Sequence, residues 1–251
     1  MRRKLGQHLL IDRKIAEREV NYASISKEDV ILEVGPGKGI LTLILAERAK
    51  EVVAVEVDHR FVNFLKGIIP DNVRIIHGDI LKIDLESINF NKVVANLPFS
   101  ISSPFTFKLL DSSFSKAILI YQKHFAKRMV AKPGSKEYSR LSVAVYYKAH
   151  CGILEHVPKN AFRPIPQVDA SIVELIPREK PPFKVADENF FFSVVNLLFS
   201  QRRKYIGKVI RKEFGINVPA YLSEKRVEEL IPEEIGELSD FILYSSKKVS
   251  Q

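Results

Sequence analysis

Short apolar runs separated by amphipathic segments dominate the first two thirds of the chain. Nearly continuous apolar runs of four to six residues, followed by segments with a helical period, are typical of parallel strands covered on both faces by helices. The predicted strands are residues 30–34, 52–57, 73–76, 92–95 and 117–121. Residues 40–48 and 61–68 are the predicted helices that connect the first three of these strands. This pattern predicts an α/β fold with a Rossmann-like sheet.

The last third of the chain has a different pattern. Residues 152–157 and 171–176 are apolar runs that we expect to be antiparallel edge strands. Residues 177–189 are rich in proline and charge and are typical of a linker. Beyond it, the pattern predicts one long helix over 190–212 and shorter helices at 227–230 and 238–243. We therefore expect two domains: a sheet domain over 1–178 and a small C-terminal helical domain over 187–251.

Glycines and acids follow the first three predicted strands. The first strand runs into E-V-G-P-G-K-G, in which Gly35, Gly37 and Gly39 permit a tight turn and close approach of a ligand. Glu56 ends the second strand and suits the two hydroxyls of a ribose, whereas Asp79 follows the third and suits an adenine amino group. Because the carboxyl ends of parallel strands meet at one crevice, these residues predict a site for an adenosine ligand.

Two classes of adenosine cofactor fit such a site. A dinucleotide places its pyrophosphate at a helix N-terminus, whereas S-adenosylmethionine carries a sulfonium and no phosphate. Glu33 and Asp79 predict an acidic pocket, which favours the cationic cofactor.

A short polar and aromatic sequence, N-L-P-F, follows the fourth predicted strand. The side-chain oxygen of Asn96 and the backbone carbonyl of Leu97 can accept the two hydrogens of an adenine amino group, which frees the nitrogen lone pair. Pro98 stiffens the turn, and Phe99 offers a ring on which the base can stack. This sequence predicts methyl transfer to an exocyclic amino nitrogen, with catalysis by positioning and electrostatics.

Composition excludes several classes of protein. The 251 residues include one cysteine, Cys151, so an internal disulfide and a cysteine-based zinc site are excluded. No apolar run approaches the roughly 18 residues of a membrane span, and the apolar stretch after the basic N-terminus is too short for a signal peptide. The histidines show no metal-binding spacing. We expect a cytoplasmic protein with no metal and no membrane association.

The charge is positive and clustered. The formal net charge is +9, and residues 201–212 carry six Lys or Arg and no acid. A second basic cluster covers residues 123–140, where Glu137 is the one acid. Such clusters favour a polyanionic partner such as nucleic acid.

Several motifs, in order along nearly the whole chain, resemble those of the small-subunit ribosomal RNA adenine dimethyltransferase family, and its archaeal members most. Glu56 and Asp79 match the ribose and adenine contacts of that family. The other matching segments are K-L-G-Q-H-L-L at 4–10, E-V-G-P-G-K-G at 33–39, N-L-P-F-S-I-S-S-P at 96–104, Q-K-H-F-A-K-R at 122–128, Y-S-R-L-S-V at 138–143, A-F-R-P-I-P-Q-V-D-A at 161–170 and F-S-Q-R-R-K at 199–204.

The resemblance implies a class I S-adenosylmethionine-dependent methyltransferase. Such an enzyme would place two methyl groups on each of two adjacent adenines near the 3′ end of small-subunit rRNA, in a ribosomal precursor particle. It implies that residues 4–10 close over the cofactor, which we expect His8, Leu10 and Asn96 to contact. It also implies that Phe162 stacks on the target base opposite Phe99. We expect the protein to act as a monomer.

The resemblance further implies that the basic segment of the helical domain grips the rRNA backbone. Arg202, Arg203 and Lys204 are the residues of the family motif that we assign to this contact. Three positions depart from the bacterial pattern. His8 replaces Asn, Leu9 replaces Phe, and Phe99 replaces Tyr, so stacking is retained but a hydroxyl is not.

Three alternatives stay open from the sequence. The protein can be a large-subunit rRNA adenine methylase, a ribosome-assembly or transcription factor that kept the fold without catalysis, or a nicotinamide-dependent dehydrogenase. Intact Asn96, Pro98 and Phe99 argue against a silent factor, and the segment around Phe162 and the 199–204 motif favour the small subunit.

Overall fold

The computed structural model describes residues 8–249, so the predicted N-terminal residues Lys4 to Gln7 lie outside the described part of the chain. The strands are β1 (Leu9–Leu10), β2 (Val30–Val34), β3 (Glu51–Glu56), β4 (Val73–His77), β5 (Lys92–Asn96), β6 (Lys116–Gln122), β7 (Ala149–Val157), β8 (Phe162–Arg163) and β9 (Ala170–Pro177). The α-helices are α1 (Arg13–Tyr22), α2 (Ile40–Arg48), α3 (His59–Leu65), α4 (Ser102–Leu110), α5 (Lys123–Met129), α6 (Arg140–Lys148), α7 (Glu188–Ser200), α8 (Ile206–Phe214), α9 (Ala220–Ser223) and α10 (Pro232–Val249). Short 3-10 helices cover Leu85–Ser87, Phe99–Ile101, Lys159–Ala161 and Val227–Glu229.

Strands β2 to β7 and β9 form one seven-stranded sheet. Its strand order is β4-β3-β2-β5-β6-β9-β7. The strands from β4 to β6 are parallel, and β9 is antiparallel to both of its neighbours. The strand order reverses between the neighbouring strands β2 and β5, which is the position where open α/β sheets bind ligands. The expected Rossmann-like sheet is confirmed.

The apolar runs make these strands because both faces of the sheet are covered. All five residues of β2 and the central residues of β3, β5 and β6 are buried. Helix α1 begins at an N-cap in which Asp12 accepts hydrogen bonds from the backbone N–H groups of Lys14 and Ile15, at 2.9 and 3.3 Å. Its buried face joins the core formed with β2 and α2.

The chain divides into two compact units. The sheet unit consists of residues 1–127 and 149–177, and the helical unit consists of residues 128–148 and 178–251. The division therefore gives residues 128–148 to the helical unit, although they lie inside the range 1–178 expected for the first domain. The reason is that α6 packs against α7 and α10, where Val143 and Tyr147 join the apolar core of the helical unit.

Three predictions about the last third of the chain were wrong in detail. The predicted strand 171–176 is an inner strand, because β9 lies between β6 and β7. The predicted helix 190–212 is two helices, α7 and α8, separated by a turn at residues 201–205. The predicted helix 227–230 is a short 3-10 helix at Val227–Glu229. Within residues 8–249, no helix is both long and apolar enough to cross a membrane.

Candidate active site

A cavity of about 150 Å³ opens at the carboxyl ends of the parallel strands. Its walls come from the segments that follow four neighbouring strands, β2, β3, β4 and β5. The lining residues are Val34, Gly35, Val55, Glu56, Val57, Gly78, Asp79, Ile80, Leu81, Pro98, Ser100 and Ile101. The structure thus brings together the glycine turn, both predicted acids and the Pro98 turn.

The glycine turn after β2 has a left-handed backbone conformation, which residues other than glycine adopt at a cost in free energy. Gly35, Gly37 and Gly39 have φ angles of 72°, 56° and 83°. A Cβ atom on Gly35 would lie 3.3 Å from the Cδ atom of Pro98, and one on Gly37 would lie 2.5 Å from the Cδ2 atom of Leu9. The turn therefore needs glycine both for its left-handed conformation and for the close approach of its neighbours.

Glu56 is fixed by the backbone around it. Its Oε2 atom accepts a hydrogen bond from the N–H of Gly37 at 3.2 Å, and its Oε1 atom accepts one from the N–H of Asp58 at 2.9 Å. Burial raises the pKa of Glu56, and the two backbone donors oppose that shift. A carboxyl group held in this way keeps acceptor lone pairs for the hydroxyls of a bound ribose.

Asp79 is held in a turn directly after β4. Its Oδ1 atom accepts a hydrogen bond from the N–H of Leu81 at 3.0 Å. Ile80 and Leu81 line the cavity beside it, as Ser100 and Ile101 do beyond Pro98. We did not predict these four lining residues; their one sequence signal is that they directly follow Asp79 and the N-L-P-F motif.

Glu33 does not line the cavity, contrary to its predicted contribution to an acidic pocket. Its side chain is 1% exposed, and burial raises its pKa to about 8. It lies close enough to Glu19 of α1 for the two carboxyl groups to influence each other. Glu19 is fully buried, and neither of its oxygens has a hydrogen-bond partner among residues 8–249. Burial raises the pKa of Glu19 well above its usual range.

The N-L-P-F sequence forms the end of β5 and a tight turn. Asn96 is the last residue of the strand, and its Nδ2 atom donates a hydrogen bond to the backbone carbonyl of His8 at 3.3 Å. No donor to the Oδ1 atom of Asn96 is found among residues 8–249, so this atom can accept a hydrogen bond from a ligand. The turn after it is closed by a bond of 3.0 Å from the N–H of Ile101 to the carbonyl of Pro98. No donor to the Leu97 carbonyl is found among the turn, loop and side-chain hydrogen bonds of residues 8–249.

Three rings meet beside Asn96. The ring of His8 lies 5.5 Å from that of Phe99 at an angle of 35°, and Phe162 meets Phe99 edge-on, at 6.3 Å and 64°. Phe162 has no exposed surface. The structure therefore brings the two expected stacking residues together, but it does not hold them as parallel faces with a base-sized gap.

A two-stranded sheet of β1 and β8 positions these rings. Leu10 pairs with Phe162, and the Nδ1 atom of His8 lies 2.7 Å from the carbonyl oxygen of Pro164. The side chain of Leu10 is buried in the apolar core, so it is absent from the cavity wall. Leu9, which we did not single out as a site residue, is the member of this strand that contacts the glycine turn.

The three predicted RNA-binding residues of the helical unit differ in their surroundings. The guanidinium of Arg202 forms an ion pair with Glu228 and donates hydrogen bonds to the carbonyls of Lys136 and Ser135, at 2.8 and 3.1 Å. Arg203 and Lys204 are exposed, and Lys204 donates to the side chain of Gln201 at 3.0 Å. Arg202 is thus engaged within its own unit.

The comparison with known families decides which family the chain belongs to. The model of a family described as ribosomal RNA adenine dimethylase matches residues 1–241. This chain belongs to the ribosomal RNA adenine dimethylase family. The seven-stranded sheet, with its reversed β9, is accordingly the class I methyltransferase sheet that the resemblance implied.

Individual relatives agree with this membership of the dimethylase family. A protein of Methanosarcina acetivorans named probable ribosomal RNA small subunit methyltransferase A is 46% identical, over 94% of this chain and 91% of that protein. One of the same name from Methanococcus maripaludis is 44% identical, over 96% and 97%.

Two solved structures are also similar. A dimethyladenosine transferase from Plasmodium falciparum has a TM-score of 0.81 and 27% identity, and it covers 96% of this chain and 98% of its own. The 23S rRNA methyltransferase ErmE has a TM-score of 0.64 and 25% identity, over 95% and 98%.

The residues of the cavity suit S-adenosylmethionine, the cofactor of the dimethylase family. The left-handed Gly35 lies in the cavity wall, and Glu56 and Asp79 line it at the carboxyl ends of neighbouring strands. The structure described over residues 8–249 contains no group of three or more His, Cys, Asp or Glu side chains that would hold a metal ion.

Proposed function

We propose that the protein uses S-adenosylmethionine to dimethylate the N6 atoms of two adjacent adenosines near the 3′ end of small-subunit rRNA. The observation that carries this proposal is the convergence on one cavity of the glycine turn, Glu56, Asp79 and the Pro98 turn, next to Asn96. Family membership supports the reaction class. The relatives named for the small subunit support that substrate over the large-subunit alternative.

The cofactor would lie along the strand ends. We assign the ribose hydroxyls to Glu56, the adenine amino group to Asp79, and the close backbone contact to Gly35 and Gly37. We propose that His8 also contacts the cofactor. Leu10 would contact it through its backbone, because the side chain of Leu10 is buried in the core. Bound there, S-adenosylmethionine supplies an electrophilic methyl group.

The protein's own residues prepare the target amino group. That nitrogen is a poor nucleophile because its lone pair is delocalised into the adenine ring. The Oδ1 atom of Asn96 and the carbonyl of Leu97 accept its two hydrogens, which draws the nitrogen towards tetrahedral geometry. Such preorganised acceptors act without reorganisation during the reaction. A strong general base is unnecessary, because the methylated nitrogen is acidic and loses its proton readily.

The target base leaves its stack and lies against Phe99. His8 already lies against Phe99, and Phe162 is buried behind it, so we propose that the aromatic rings rearrange when the base enters. In the helical unit, we propose that Arg203 and Lys204 contact the rRNA backbone. Arg202 instead positions the segment that contains Ser135 and Lys136.

The substrate that we propose is rRNA within a precursor of the small subunit, and the proposed acting form is a monomer in the cytoplasm. The test is methyl transfer from labelled S-adenosylmethionine to small ribosomal subunits that lack the modification, followed by digestion to nucleosides. We expect dimethyladenosine from the small subunit. Labelled product from large subunits alone would overturn the choice of substrate. Absence of transfer from a protein that binds the cofactor would support a silent assembly factor instead.

A further inference from the structure

We propose that the helical unit carries a second nucleotide pocket, between α8 and α9, which takes one unpaired nucleotide of the RNA substrate. This inference rests on the proposed function, which supplies the RNA. The pocket has a volume of about 400 Å³ and lies wholly within the helical unit. That volume falls in the range of roughly 300–1,000 Å³ that is usual for small-molecule sites.

Two positively charged side chains lie on one side of the pocket. Lys208 and Arg211 are three residues apart on α8, so their side chains lie on the same face of the helix. Both are exposed. Within residues 8–249, Arg211 has no ion pair, and the contact found for Lys208 is with the ring of Tyr205, at 5.8 Å. These two side chains are therefore available for a phosphate group.

Uncharged and acidic hydrogen-bonding groups line the rest of the pocket. Asn217 supplies an amide, Ser223 a hydroxyl and Glu224 a carboxylate. Amide, hydroxyl and carboxylate groups of this kind read the hydrogen-bonding edges of bases that are not paired. A carboxylate beside two cations disfavours a bare phosphate ion. The combination therefore points to a whole nucleotide, with its phosphate at α8 and its base at Asn217 and Glu224.

The pocket is held in shape by a close contact between its two helices. A Cβ atom on Gly207 would lie 2.3 Å from the Oγ atom of Ser223 and 3.0 Å from its carbonyl oxygen. Glycine at this position lets α9 approach α8 directly. The N–H of Ile206 also donates to the carbonyl of Lys225 at 2.9 Å, which ties the start of α8 to the segment after α9.

The surface next to the pocket suits an unpaired strand rather than a duplex. Tyr205 is 42% exposed, and both Lys208 and Arg226 lie near its ring, at 5.8 and 5.7 Å. Exposed aromatic rings combined with cations are the usual means of binding single-stranded nucleic acid. Base pairing would also hide the edges that the pocket is equipped to contact.

The test is binding of a fluorescently labelled single-stranded RNA to the full-length protein and four variants, measured by anisotropy at fixed salt. Lys208→Ala and Arg211→Ala remove the proposed phosphate contacts. Ala220→Leu fills the pocket without changing its charge, at an exposed lining position. Lys212→Ala is the matched control, because it removes a neighbouring exposed cation of α8 that does not line the pocket.

We expect each of the three pocket variants to weaken binding by at least about fivefold, and Lys212→Ala by less than about twofold. Equal losses for the three cation variants, with wild-type affinity for Ala220→Leu, would overturn the pocket and leave only a general electrostatic surface. Thermal unfolding of each variant checks that it is folded. If Ala220→Leu fails that check, Asn217→Leu serves in its place, because it removes the amide at another exposed lining position without changing the charge.

A titration with free adenosine monophosphate and with inorganic phosphate identifies the ligand class. Amide resonances of the lining residues Asn217, Val218 and Ser223 should shift with the nucleotide, and much less with phosphate alone. Equal shifts with phosphate would overturn the nucleotide assignment. Methyl transfer by the wild-type protein separates the two proposals: if transfer occurs but the pocket variants bind normally, the pocket fails and the function stands. If the pocket variants lose affinity but no transfer occurs, the function fails instead.

Discussion

The side chain of Asn96 is held at one of its two polar ends. Its Nδ2 atom donates to the carbonyl of His8, and its Oδ1 atom, which has no donor in the described part of the chain, can accept from a ligand. The position of Asn96 at the crevice follows from the strand pattern, so the sequence predicted it. The partner that orients it could not be predicted, because His8 is 88 residues away and reaches Asn96 only through the pairing of β1 with β8.

Replacing Asn96 by alanine should abolish most methyl transfer while leaving the fold in place. Loss of one preorganised group that acts on the reacting atoms costs about 10²–10³ in kcat. Turnover with small subunits is the measurement, together with cofactor affinity, which should stay within a few fold. Asn160→Ala, an exposed Asn of the sheet unit, is the matched control and should be unaffected. Full activity in Asn96→Ala would refute the assigned role.

Replacing Gly37 by alanine should reduce both stability and cofactor affinity. Its φ of 56° is unfavourable for alanine, at about 1–2 kcal/mol, and the new Cβ would also meet Leu9 at 2.5 Å. Gly134→Ala isolates the first cost, because Gly134 has a φ of 80° and a Cβ added there would meet no atom within 4 Å. Chemical denaturation should show a clearly larger loss for Gly37→Ala. Equal losses of stability in the two variants would mean that the strand that contains Leu9 shifts to accommodate the new Cβ atom at no cost.

At the scale of elements, α1 and β2 enclose two carboxyl groups that the proposed chemistry does not use. Glu33 was predicted to line the ligand pocket because it directly precedes the glycine turn. In a fully buried strand, however, the sequence does not reveal which face a side chain points to, since both faces are apolar. The neighbouring Glu19 looked like an ordinary polar residue of an amphipathic helix, and its burial is a result of tertiary packing.

These two groups predict a stability that falls as pH rises. The pKa of each is higher in the folded protein than its ordinary value of 4.5, so the folded state holds more protons above that pH. The stabilising contribution is therefore complete below about pH 4.5 and is lost as pH rises through about 8 for Glu33. Glu19→Met should flatten this part of the profile and stabilise the protein by about 1–3 kcal/mol at pH 8.

Denaturant unfolding from pH 5 to 9 measures this profile. Glu17→Met on the same helix is the control, because Glu17 is partly exposed and pairs with Arg13. Such a pair contributes about 0.3–0.5 kcal/mol, so the control should change stability little and leave the pH profile as it is. A profile for Glu19→Met that parallels the wild type would show that Glu19 does not titrate in this range.

The turn between α7 and α8 explains why one long predicted helix is two. The periodicity continues from 190 to 212, but Arg202 bonds to Glu228 and to two carbonyls at residues 135 and 136. These partners come from distant parts of the sequence, and the pattern within the segment carries no sign of them. The basic motif at residues 199–204 resembles an RNA-binding motif, but its Arg202 forms contacts within the protein instead.

Neighbouring arginines should consequently behave in opposite ways. Arg202→Ala should destabilise the protein by about 1–3 kcal/mol, since it leaves Glu228 and two carbonyls without their donor. Arg203→Ala should leave the unfolding midpoint unchanged and weaken RNA binding. Thermal unfolding and RNA anisotropy on both variants give the comparison. The roles would need to be exchanged if Arg203→Ala, rather than Arg202→Ala, lowered the midpoint.

At the scale of the whole molecule, the net charge of +9 includes an acid-free basic segment within residues 201–212. Setting aside the engaged Arg202 and the control residue Lys212, this segment offers four cations: Arg203, Lys204, Lys208 and Arg211. If all four contact phosphates of a single strand, the logarithm of affinity should fall against the logarithm of salt with a slope of roughly −3. RNA titrations at several salt concentrations measure it. A slope near zero would mean that the basic segment does not meet the RNA.

The helical unit is assembled from two separate stretches of the chain, and this has a consequence for biosynthesis. On the ribosome, α6 emerges well before α7 and α10, the helices against which it packs. Its apolar residues Val143 and Tyr147 therefore stay exposed to solvent until α7 and α10 have been synthesised. A chain stopped after β9 would keep that bare face permanently. Shortening the protein to its sheet half should therefore yield an aggregation-prone fragment, unless residues 128–148 are also replaced by a short polar link.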